Sequence, residues 1–118
     1  MNFFDNQYLL PVVLGNDDET LKVARILRKR HFEVHIFSNE LAFSHRIRLK
    51  YHNTRNTANW LLNIKLSDFI AILHESYTPI LIYSQSYEKD FIKQYFSELE
   101  KRYVIMSAKT ALNYLVEG

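Results

Sequence analysis

The chain has 118 residues, 47% of them hydrophobic and 24% charged, with a formal net charge of +2. That is enough for one domain with its own core, and it is ordinary globular composition. It contains no cysteine, which excludes a disulfide framework, thiolate metal sites and a cysteine nucleophile.

No apolar run approaches the roughly 18 residues of a membrane span. The N-terminus lacks the basic start and long apolar stretch of a signal peptide. The expectation is therefore a cytoplasmic protein. Charge is unevenly placed: between Glu40 and Asp68 there is no acid, and Arg46, Arg48, Lys50, Arg55 and Lys65 carry that window to +5.

Leu9 to Leu14 reads as a strand buried on both faces, as in a parallel sheet. Pro11 lacks a donor and suits a strand's beginning. Gly15 permits a turn, and Asn16 is the expected helix cap, with Glu19 three residues on. Thr20, Val23, Ala24 and Leu27 then form an inward stripe. Phe32 to Phe37 predicts a second strand, ended by Ser38, Asn39 and Glu40. A short helix is expected through Leu41 and Phe43. Ile47, Leu49 and Tyr51 alternate with Arg46, Arg48 and Lys50, which predicts a short strand with a basic face; a helix is the alternative.

His52 to Asn59 reads as a loop, and Trp60 to Ile64 is apolar without a clear period. Ser67 is the expected cap of a helix carrying Phe69, Ile70 and Leu73. Thr78-Pro79 ends that helix, and Ile80 to Tyr83 predicts a buried strand closed by Ser84-Gln85-Ser86. A helix from Tyr87 to Lys101 has an apolar stripe of Phe91, Ile92, Tyr95, Phe96 and Leu99. A last strand spans Tyr103 to Met106. Residues 108–116 form a closing helix or, with 117–118, a linker. The alternation predicts a three-layer, mostly parallel, doubly wound Rossmann-like α/β sheet of about four or five strands.

In such a sheet ligands sit beyond the carboxyl ends of strands, where strand order reverses. The candidate substrate-binding residues are therefore Gly15, Asn16, Ser38, Asn39, Ser84 and Gln85, whose small polar groups suit a carboxylate or amide. The alternative for Asn16 and Ser38 is plain helix capping. Arg46 and Arg48, with Lys50, are candidate anion-binding residues; otherwise they charge an edge strand against aggregation.

A dinucleotide fingerprint needs three glycines and a Walker loop a Gly-Lys-Ser/Thr end. "LGNDDET" has neither, and its carboxylates repel a phosphate from the helix start. It reads as a turn and cap. His31 and His35 have metal-like spacing but straddle a helix end and a strand, so no metal site is expected. Tyr51, His52 and Trp60 could stack bases, yet no recognised motif accompanies them, and nucleic acid is an unlikely partner.

Three segments, "LPVVLGNDDETLKVARILRKRHFEVHIFSN", "RIRLKYH" and "YTPILIYSQSYEKDFIKQYFSELEKRYVIM", follow one another in a way that resembles the N-terminal domain of ATP-grasp carboxylate–amine ligases. The nearest likeness is to D-aspartate-ligase-like and carbamoyl-phosphate-synthase-like members, over about residues 9–107. The resemblance implies a Rossmann-like domain that holds substrate and packs on a downstream ATP-grasp module or partner subunit. It also implies that ATP and Mg are bound in that module, with no cofactor, no metal and no catalytic residue in this chain alone. A small carboxylate or amine is the implied substrate. The other classes are a stand-alone interaction or regulatory domain, and a nucleotide- or sugar-nucleotide-binding fragment of a transferase.

Overall fold

The computed structural model of the chain describes residues 3–15, 17–39, 50–73, 75–84 and 89–117. After a short 3-10 turn at Phe3–Asp5, the elements are β1 (Leu9–Leu14), α1 (Asp18–Lys29), β2 (His35–Ser38), β3 (Lys50–Asn53) and α2 (Asn59–Ala71). They continue with β4 (Thr78–Tyr83), α3 (Lys89–Leu99), β5 (Val104–Ser107) and α4 (Ala108–Glu117). All strand pairs are parallel, in the order β3-β2-β1-β4-β5. The expected doubly wound α/β sheet is thus present. The chain moves outward from β1 through β2 to β3, then returns to lay β4 on the other side. The switch point lies between β1 and β4.

Two cores flank the sheet. On one face Leu9, Val13, Ile36, Ile80 and Ile82 pack under α1 and α4. On the other, Val12, Leu14, Phe37 and Leu81 pack under α2 and α3. All six residues of β1 are buried, each large apolar side chain contributing about 1.5–3 kcal/mol. The N-terminal turn adds Phe4, buried edge-on to Tyr114 of α4 at 6.4 Å between ring centroids.

Both prolines lie inside strands between two neighbours. Gly15 N donates to Phe37 O, and backbone alternation aims Pro11 the same way, toward β2. Pairing with β2 starts only at Val12, opposite His35, so the missing N–H falls just before the ladder. Pro79 repeats the device. Thr78 N donates to Tyr8 O on the β1 side, Pro79 faces β5, and the β5 ladder starts at Ile80. Thr78-Pro79 therefore opens β4 and does not end the preceding helix, which stops at Ala71.

Several boundaries differ from the sequence expectations. The cap of α1 is Asp17, whose side chain accepts from Thr20 N; Asn16 lies outside the described residues. His52 and Asn53 extend β3, not a loop. Trp60 to Ile64 belongs to α2, which runs through Ser67 without a break and is entered at Ala58 with no side-chain cap. Apolar residues fall all round this helix, which hides its period. The backbone of α3 leaves helical geometry at Tyr95 (φ −112°, ψ 16°). Phe96, expected in the buried stripe, is 46% exposed beyond that break. Residues 108–117 form a helix, not a linker, with Ala108, Ala111 and Leu115 buried against α1. The short helix expected through Leu41 and Phe43 falls outside the described residues.

The end of α1 is a Schellman turn built on histidine. His31 N donates to Arg28 O, Phe32 N donates to Leu27 O, and His31 takes φ 71°, a conformation that favours glycine. The preceding residue, Arg30, donates from its guanidinium to Leu115 O at 2.7 Å, satisfying a carbonyl near the end of α4. Among the described residues no helix is long and apolar enough to cross a membrane.

Candidate functional site at the carboxyl rim

The switch point brings Gly15 and Ser84 together. Ser84 N donates to Leu14 O at 3.1 Å, so the chain leaves β1 and β4 side by side. Gly15 takes φ 112°, and a Cβ there would meet Ser84 Cβ at 2.9 Å. Glycine is required both for the conformation and for the approach.

Asp17 closes this crevice. One carboxylate oxygen accepts from Thr20 N at 2.9 Å and from the Thr20 hydroxyl at 2.7 Å. The other accepts from the Ser84 hydroxyl. Thr20 and Ser84 are buried. Burial pushes the Asp17 carboxyl up, but the hydrogen bonds from Ser84 and Thr20 outweigh it and hold the group below its ordinary value. The carboxylate thus sits where a bound phosphate would meet the start of α1. A second anion there would face this fixed negative charge.

The other candidate residues scatter along the rim. Ser38 and Asn39 follow β2, one strand over. Ser38 is buried, and its carbonyl accepts from Thr54 N at 2.8 Å and from the Tyr51 hydroxyl at 2.7 Å. Asn39 is exposed. Asn16, Gln85, Arg46 and Arg48 lie outside the described residues. Tyr51 and His52 point to opposite faces of β3: Tyr51 joins the core under α1, whereas His52 stacks on Phe37. With Trp60 standing out from α2, 59% exposed, the three make no common stacking platform.

A second feature was not singled out from the sequence. His35 on β2 and His52 on β3 face the α2 side, with His35 Nδ1 2.9 Å from His52 Nε2. One nitrogen donates and the other accepts, so the bond needs at least one neutral ring. His52 stacks on Phe37 with centroids 4.3 Å apart and 11° between planes. Phe69 of α2 meets His35 edge-on at 4.6 Å. Burial lowers the basicity of both rings. For His35 the Glu33 carboxylate opposes that fall and Lys50 adds to it; for His52 the neighbouring His35 and Lys50 add to it. Lys50 is itself paired with Glu33.

Compared with known proteins, the chain matches no family model, no curated protein and no solved structure.

His52 of this pair lines a cleft of about 350 Å³, together with Phe37, Asn53, Lys65, Asp68 and Phe69. The signal for it was present: His52 lies opposite Phe37 once β2 and β3 are paired in parallel. What sequence reasoning lacked was the extension of β3 through two polar residues. Among the described residues no group of three or more His, Asp or Glu side chains is placed to hold a metal ion.

Proposed function

We propose that the chain is the substrate-positioning domain of an ATP-grasp carboxylate–amine ligase. It holds a reactant and packs on the module that binds ATP. The complete ligase transfers the terminal phosphoryl group of ATP to a carboxylate, releasing ADP. The amine then attacks the acyl carbon and expels phosphate, leaving an amide.

One observation carries the reading. A parallel sheet with its switch point between β1 and β4 gathers Gly15 and Ser84 at the rim, while Asp17 fills the start of α1. Among the described residues such a rim is polar and closed by a carboxylate, with no phosphate cradle, which disfavours the nucleotide-binding alternative. The ligase assignment itself rests on the resemblance of residues 10–39, 46–52 and 77–106. A stand-alone interaction domain is the second reading. It is favoured by Trp60 and Ile64, 59% and 45% exposed one turn apart on α2.

The test is the coding sequence downstream of the Gly118 codon. A further domain-sized segment with a glycine-rich loop and paired acids supports the ligase. A stop codon there overturns it and leaves the interaction reading. Calorimetry of this chain with Mg-ATP is expected to show no binding; saturable ATP binding would contradict the role given to Asp17.

A further inference from the structure

We propose that the cleft between the β2–β3 end of the sheet and α2 binds a free amino acid with an uncharged, apolar side chain. Its floor is aromatic: Phe37, His52 and Phe69. The hydrogen bond between His35 and His52 makes that floor a fixed surface. At about 350 Å³ the cleft lies in the range of small-molecule sites.

Its lip carries one cation and one anion. Lys65 and Asp68 stand three residues apart on α2, which places them on neighbouring positions of one helix face. Neither has an ion-pair partner among the described residues, not even the other. Charges of both signs, unpaired among the described residues and beside an apolar floor, match a ligand with both charges on one end and a hydrocarbon on the other. An α-amino acid carries its ammonium and carboxylate on a single carbon. Its carboxylate meets Lys65, its ammonium meets Asp68, and its side chain lies against the rings. A plain amine or a plain acid answers only one of the two. Asn53 adds an amide at the same mouth; its oxygen accepts from Arg55 N at 2.8 Å, which leaves its NH2 to donate to the carboxylate. With no further charge among the described lining residues, a charged side chain finds no complement there.

This names the class of reactant for the ligase reading and rests on it for biological meaning, but the binding belongs to this chain and is measured on it. The probes are leucine and phenylalanine, with phenethylamine and 3-phenylpropionate as single-charge controls, titrated by calorimetry and amide NMR. Both amino acids are expected to bind more tightly than either control. Lys65→Gln and Asp68→Asn are each expected to weaken amino-acid binding by about tenfold or more, the scale of a charged hydrogen bond. K65Q should leave the amine unchanged and D68N the acid. Both positions are exposed on α2, so both variants should fold, as melting curves will check. Equal binding of amino acids and controls, indifference to both substitutions, or no saturable binding at millimolar ligand would overturn the proposal. Amino-acid binding without a downstream ATP-grasp segment would keep this inference and sink the ligase reading; the segment without binding would do the reverse.

Discussion

Ser84 donates its hydroxyl hydrogen to the carboxylate of Asp17 across the crevice between β1 and β4, linking residues 67 positions apart. The same carboxylate caps α1 through Thr20. A helix cap and a tie between strand ends are therefore one group. Asp17→Ala should cost about 1–2 kcal/mol, the upper range for a lost cap, and Ser84→Ala about 1 kcal/mol for one hydrogen bond. The two losses should not add, because they share an acceptor. The depressed carboxyl also sets a pH dependence. Its contribution is full above the ordinary value of 3.8 and disappears as pH falls through the lower folded value. Urea titrations of the wild type, both single variants and the double variant check all of this.

Gly15→Ala should be more damaging than either. The new Cβ would press on Ser84 Cβ at 2.9 Å, and φ 112° is unfavourable for any L side chain. The expected loss is about 2–4 kcal/mol, combining backbone strain with overpacking. Denaturant unfolding measures it. A loss under about 0.5 kcal/mol, the scale of an ordinary surface substitution, would show that the crevice is looser than described.

The paired histidines should make stability fall in mild acid. Both have folded pKa values below the ordinary 6.5. Above 6.5 neither state takes up a proton at these sites. Below it the unfolded chain is protonated first, so stability declines until the folded rings also titrate. Glu33 and Lys50, which face His35, act in opposite directions on it. His52→Phe keeps an aromatic surface over Phe37 but cannot titrate. The variant should flatten the change in urea midpoint between neutral and mildly acid pH, and an unchanged slope would count against the pair as its source.

His31→Gly should raise stability by about 1 kcal/mol. His31 occupies the left-handed position of the Schellman turn with φ 71°, where a Cβ costs roughly 1–2 kcal/mol and glycine none, less glycine's entropy in the unfolded chain. Thermal melting should show the gain.

Phe91→Ala and Phe96→Ala separate the two ends of α3. Phe91 is buried, and its truncation should cost about 3–5 kcal/mol. Phe96 is half exposed and should cost under about 1 kcal/mol, close to a surface substitution. Equal losses in denaturant unfolding would contradict the break at Tyr95.

The order of elements was legible because buried parallel strands read as β-branched runs, such as Leu9 to Leu14 and Ile80 to Tyr83, and because α1 shows a clean apolar stripe. The α2 helix was obscured by Trp60, Leu61 and Ile64, which are apolar on faces that period analysis assigns to solvent. His52 and Asn53 were legible only as polar residues; their strand character comes from pairing with Phe37 and Ser38. The rim was foreseeable from Gly15 and Ser84, since strand ends follow from strand runs. Asp17 caps α1 through Thr20, a local contact, whereas its second tie, to the Ser84 hydroxyl, joins distant parts of the chain and is a contact that no local pattern encodes.

The latch from Arg30 to Leu115 bears on how the chain is made. The face of α1 holding Val23, Ala24 and Leu27 shares its core with Ala108, Ala111 and Leu115 of α4. During synthesis that face leaves the ribosome long before its cover does. Until α4 follows, it stays wet and sticky, a surface that chaperones would recognise. Among the described helices, α1 waits for α4, three helices later in the chain, to seal it.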